Sequence, residues 1–185
     1  MASKPSDPLL AAAKVVVVIT QIIIVVATVG IGIGVGVLLT IGRDKTFELI
    51  GRAQAPEIAF VMLIFGFGLI MIMLQLGFRF FKQLRGIIDS VSDGEPFRSE
   101  NAGRLSRMGW LAVASHGLGL VLTLLASWFL PYLIKLEGAG SKAHHNYDFG
   151  FGIGLGGILL TLILFILARV FSEGARMREE LEGTV

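Results

Sequence analysis

At 185 residues, 54% hydrophobic and only 16% charged, with a mean hydropathy of +0.78, the chain is too apolar for a soluble domain of its size. A formal net charge of +2 argues against nucleic acid as a direct partner, and the absence of cysteine excludes disulfides, thiolate metal sites and a cysteine nucleophile. A spanning helix takes about 20 apolar residues, so four spans and their connections use up the chain. The expected fold is all-α, an integral membrane four-helix bundle forming a single domain over 1–185, with a cytoplasmic helical hairpin between spans two and three.

Residues 1–14 read as a short polar tail carrying Lys4, Asp7 and Lys14. The apolar run 15–41 exceeds the ~7 to 15 residues of a cleavable signal core, and no small-x-small site follows it, so a retained first span is expected. Its first half is β-branched, but an open strand cannot satisfy its backbone in lipid, which leaves helix. Its second half places Gly30 with Gly34 and Gly32 with Gly36 at four-residue spacing, a pattern that lets another helix approach closely. A nucleotide-binding reading fails, because no Lys-Ser/Thr and no βαβ context follows these glycines.

Residues 42–57 read as a polar loop with balanced charge, ending in Pro56, which suits the first turn of the second span, 58–78. Beyond Arg79 the apolar residues Phe80, Phe81, Leu84, Ile87, Ile88 and Val91 recur at three- and four-residue steps. One helix is therefore expected to leave the membrane as an amphipathic extension. Its apolar face can lie on the bilayer, pack on the C-terminal tail or meet a partner. Ser92, Asp93, Gly94, Glu95 and Pro96 form a turn signal, and a new helix is expected to start near Ser99, with Glu100 in its first turn. Segment 79–109 is thus a loop shaped as a hairpin, leading through Trp110, an interfacial indole, into span three at 110–134. Loop 135–148 holds His144 and His145. Span four, 149–171, opens with Gly150, Gly152, Gly154 and Gly156, a second small-residue face expected to pack against that of span one, and the charged tail 172–185 is expected to be helical through Leu181.

Orientation follows from basic residues in short loops. The N-terminal tail, the central segment and the C-terminal end counted from Arg169 hold eleven Lys/Arg against five in the other two loops. Both termini and segment 79–109 are then cytoplasmic.

No span carries Asp, Glu, Lys or Arg in its central part, which weakens a proton-coupled carrier reading. The intramembrane polar residues are Gln21, Gln75 and His116, which can satisfy one another between helices or line a polar path in a small transporter or channel subunit. His144 and His145 lie in a loop with no fixed geometry for a metal, and no nucleophile–base pair, phosphate loop or zinc-protease motif appears. The expectation is a non-enzymatic protein with no catalytic residues, no cofactor and no metal.

Gly94, Glu95, Pro96 and Phe97, followed by Glu100, Asn101, Arg104, Leu105, Arg107, Met108, Gly109 and Trp110, resemble the bacterial membrane-protein family called domain of unknown function 2975. So does the closing stretch with Phe171, Glu173, Gly174, Arg178, Glu179, Glu180 and the final residues 182–185. The resemblance implies a four-span inner-membrane protein, often encoded beside small Cro-type helix-turn-helix regulators, and brings no catalytic residues. It suggests that the cytoplasmic face binds or sequesters such a regulator. Pro96, Phe97, Asn101, Arg104, Leu105, Arg107 and Trp110 of the loop would do the holding, with Arg178 and Glu179 of the tail. The same residues equally suit a bracing role between helix ends. Remaining partner expectations are membrane lipids, a homo-oligomer through the glycine faces, or a role as a lipid-binding assembly subunit.

Overall fold

The computed structural model describes residues 8–137 and 154–182, and these are almost wholly helical. Helix α1 covers Pro8–Thr40, α2 Arg43–Arg52, α3 Ile58–Ser92, α4 Ser99–Glu137 and α5 Leu155–Glu182. Four of these, all but α2, are long and apolar enough to cross a membrane, and no strand occurs among the described residues. This is the all-helical membrane fold that the composition requires.

Two departures from the expected layout have local causes. Residues read as a loop after span one fold into α2, with an Arg52–Glu48 pair one turn apart at 2.7 Å and the Phe47 ring stacked on Phe60 at 4.8 Å. The polar tail is also partly absorbed, since α1 begins at Pro8. The extension of the second span is continuous, with α3 running unbroken from Ile58 to Ser92.

The chain divides into two compact units, each built from parts of several helices. The first takes the N-terminal part of α1, the C-terminal part of α3, the N-terminal part of α4, and α5. Its core is Leu105, Met108 and Ala112 of α4 against Leu164 and Ala168 of α5, with Phe80, Leu84 and Ile87 of α3 and Phe171 packed around them. The amphipathic face of the α3 extension is thus spent inside the chain's own core. Lys14 of α1 pairs with Asp89 of α3 at 2.7 Å, tying the start of the chain to the hairpin. Gly109 is buried directly against the Phe165 ring, where an added Cβ would fall 2.9 Å from two ring carbons.

In the second unit Ala53, Ala59, Leu69 and Leu122 are buried. Gly66 of α3 admits the Leu125 side chain of α4 to 3.0 Å of an ideal Cβ, and Gly32 of α1 lies opposite the Met71 methyl at 3.8 Å.

Most glycines of the two words face open space among the described residues. A Cβ at Gly30, Gly34, Gly36, Gly154 or Gly156 would meet nothing within 4 Å. None of these five is approached by another described residue, and Gly150 and Gly152 lie outside the described residues. The physical reason is that glycine is demanded by a bulky group seated opposite, and the seated groups face isolated glycines instead. Gly34→Ala and Gly36→Ala should accordingly leave the thermal midpoint in detergent unchanged or raised, because alanine favours helix by about 1 kcal/mol over glycine. A marked fall in either variant would contradict the open geometry.

Candidate functional site

The hairpin between spans two and three is built from its turn outward. At the end of α3 the Glu95 amide donates to the Ser90 carbonyl and the Gly94 amide to the Val91 carbonyl, each at 3.0 Å. This six-to-one and five-to-two pair closes a helix only if the residue after its cap is left-handed, and Gly94 has φ +82°. Pro96 then prevents α3 from continuing.

Asn101, in the first turns of α4, is the hub. Its side chain is wholly buried, and its Nδ2 donates to Ser90 Oγ at 2.6 Å and to the Pro96 carbonyl at 2.8 Å. Its Oδ1 accepts from Arg104 Nη1 at 2.9 Å, and the same nitrogen donates to the Gly86 carbonyl at 2.8 Å. Ser90, itself buried, donates to the Ile87 carbonyl. One amide and one guanidinium thus stitch the last turns of α3, the turn and the start of α4. Gly86 makes room for this, since a Cβ there would sit 3.0 Å from Arg104 Nε and Cζ. A helix-interior carbonyl already accepts one bond from its own ladder, and the extra donor reaches it only where no side chain intervenes.

The turn is fastened to the C-terminal helix by Phe97. Its ring lies 5.3 Å from that of Phe171 and against Gly174, where a Cβ would fall 2.8 Å from Phe97 Cδ1. Ala175 beside it is buried. Around this contact Glu95, Arg98, Ser99, Glu100, Arg178 and Glu179 rim an open cavity of about 230 Å³. The Arg98 side chain holds the Glu95 carboxyl below its usual range by hydrogen bond and then by charge, and Arg178 on α5 adds to the effect. That stabilisation is present above the ordinary carboxylate pKa and is lost as pH falls through the lowered one.

The other candidates sort by position. Leu105 is in the core, and Arg104 and Asn101 are occupied by bracing contacts. Arg107 and Trp110 face a second cavity, of about 510 Å³, shared with Arg79, Lys82, Gln83 and Leu111. Arg176 pairs with Glu173 and Glu180 of its own helix rather than with the loop. Gln21 is buried, His116 half-buried and Gln75 exposed. His144 and His145 lie outside the described residues.

Sequence reasoning missed Ser90, Gly86 and Gly174 as structural partners of the hairpin, and Lys14 as its tie to α1. The signal was available for the glycines. Each stands alone within a charged helical stretch, where glycine costs about 1 kcal/mol unless close approach requires it.

The sequence model of a family described as protein of unknown function (DUF2975) matches residues 44–185, from α2 through the C-terminal tail. No curated protein and no solved structure matches the chain.

Proposed function

The chain belongs to the DUF2975 family, and from that membership and the hairpin's geometry we propose that it is a non-enzymatic regulatory protein of the bacterial inner membrane. Its cytoplasmic hairpin and tail hold a small helix-turn-helix transcription regulator. The observation that carries this reading is the division of labour within the family's two words. Asn101 and Arg104 brace the turn and Phe97 fastens it to α5, while Glu95, Arg98, Ser99, Glu100, Arg178 and Glu179 rim a polar cavity on the braced surface, Glu95 paired with Arg98 and Glu100 with Arg104. A rigid mount with a charged rim suits recognition of a folded partner, since little ordering entropy is lost on binding. The mixed signs of the rim fit a protein surface and are unsuited to a run of phosphates. The regulator class comes from the gene neighbourhood that the family resemblance implies. The excess of basic residues in the hairpin and both tails supports a cytoplasmic site for this surface.

The test is affinity purification of the tagged protein from its native membrane. A small DNA-binding protein should accompany the wild type, and Arg98→Glu with Glu179→Lys should reduce its recovery by roughly tenfold, about 1.4 kcal/mol, without lowering the amount of membrane protein. Recovery unchanged by the double reversal would remove this surface from partner binding.

A further inference from the structure

The cavity of about 510 Å³ between α3 and α4 is walled by two helical triads that face each other. Arg79, Lys82 and Gln83 stand at i, i+3 and i+4 on α3, and Arg107, Trp110 and Leu111 stand at the same spacing on α4. Three cations therefore converge on one space, with no carboxylate among the described residues of its wall. The other three hairpin cations are neutralised: Arg85 lies near Asp89, Arg98 pairs with Glu95, and Arg104 pairs with Glu100. Among the described residues, Arg79, Lys82 and Arg107 have no acidic partner within ion-pair distance. Like charges gathered this way repel unless an anion joins them.

The rest of the wall says what kind of anion. Arg79 follows directly on the apolar run of the second span, and Trp110, 65% exposed, opens the apolar part of α4 with its indole edge-on to Phe165 at 5.7 Å. An exposed indole at the end of an apolar run marks the level of lipid headgroups. The ligand must therefore present a phosphate to the cations and hydrocarbon to Trp110 and Leu111 at once. We propose that this cavity is a binding site for the headgroup of an anionic phospholipid, with Arg79, Lys82 and Arg107 on the phosphate and Trp110 against the glycerol and upper acyl chain. This assignment is independent of any protein partner, since the cavity shares no lining residue with the charged rim.

Trp110 gives the readout. Trp128 is the second tryptophan, so Trp128→Phe leaves a single reporter. In phosphatidylcholine vesicles containing a minor fraction of phosphatidylglycerol, acyl-brominated phosphatidylglycerol should quench Trp110 well beyond brominated phosphatidylcholine at equal mole fraction. The preference should fall by about fivefold for each cation removed in Arg79→Gln, Lys82→Gln and Arg107→Gln, and vanish in the triple variant. Quenching by brominated phosphatidylcholine should be the same in all variants, which reports intact insertion. Arg85→Gln, outside the cavity, should keep the preference. Equal quenching by the two lipids in the wild-type background would overturn the site, as would a preference that survives the triple substitution or is lost equally with Arg85→Gln. Inorganic phosphate abolishing the preference where chloride of matched ionic strength does not would assign the cavity to a soluble phosphate instead, and would overturn the lipid.

Discussion

Asn101→Ala should lower the thermal stability of the detergent-solubilised protein more than any other single polar-to-alanine change in the hairpin. The side chain has no solvent exposure, and its three hydrogen bonds reach Ser90 Oγ, the Pro96 carbonyl and Arg104 Nη1. Removing it deprives the carbonyl of its side-chain donor and the guanidinium of one acceptor, and opens a small void in a buried place. A buried polar group left unsatisfied costs about 1–3 kcal/mol, so a loss of about 2–4 kcal/mol is expected for the whole set. Ser90→Ala supplies the comparison. It removes one acceptor for Asn101 Nδ2 while the bond to Pro96 remains, so its effect should be about 1 kcal/mol. Differential scanning fluorimetry in one detergent orders the two variants, and equal midpoints would show that Asn101 is not the hub.

Gly109→Ala should be the most damaging small substitution at the packed contact between α4 and α5. The added methyl would lie 2.9 Å from Phe165 Cε1 and Cζ, a distance real side chains do not tolerate. The ring has little freedom to retreat, being set edge-on against Trp110 with a centroid distance of 5.7 Å. Overpacking of this kind costs about 1–3 kcal/mol, a fall of roughly 2–4 °C in midpoint per kcal/mol for a chain this long. Phe165→Leu should relieve it. The double variant should be less destabilised than the sum of the two single ones, because each change removes the cause of the other's strain. Strict additivity would place Gly109 and Phe165 out of contact. Gly174→Ala makes an equally close approach, to Phe97 Cδ1 at 2.8 Å, but Phe97 is 45% exposed and can swing outward, so the stability loss there should be smaller.

Much of this arrangement is legible in the amino-acid sequence, and what is not has a common cause. Apolar run length announces the four spans, the three- and four-residue steps from Phe80 to Val91 announce the α3 extension, and Gly94 with Pro96 announces the turn. These are local signals, carried by the backbone's own preferences. The glycine words of α1 and α5 say less, because four-residue spacing records only that a helix can be approached, and at Gly30, Gly34 and Gly36 no other described residue comes within 4 Å of an added Cβ. What decides the matter is which bulky or charged group stands opposite. Arg104 opposite Gly86, Phe165 opposite Gly109 and Phe97 opposite Gly174 are each set by the pairing of distant segments, which no window of sequence contains. The two family words were legible as words, but their split into brace and rim was not. Asn101 and Arg98 are both polar residues of one short stretch, and only the structure separates the one that is wholly buried from the one on the rim of a cavity.

The lock between turn and tail is the premise of both the bracing and the recognition surface, and the chain's lack of cysteine allows it to be tested in native membranes. Cysteines introduced by Phe97→Cys and Gly174→Cys should form an intramolecular disulfide under mild oxidation, seen as a faster-migrating monomer band that reverts on reduction. The two single-cysteine variants should show no such band. Failure of the paired variant to crosslink while both cysteines accept a maleimide label would contradict a hairpin fastened to the C-terminal helix.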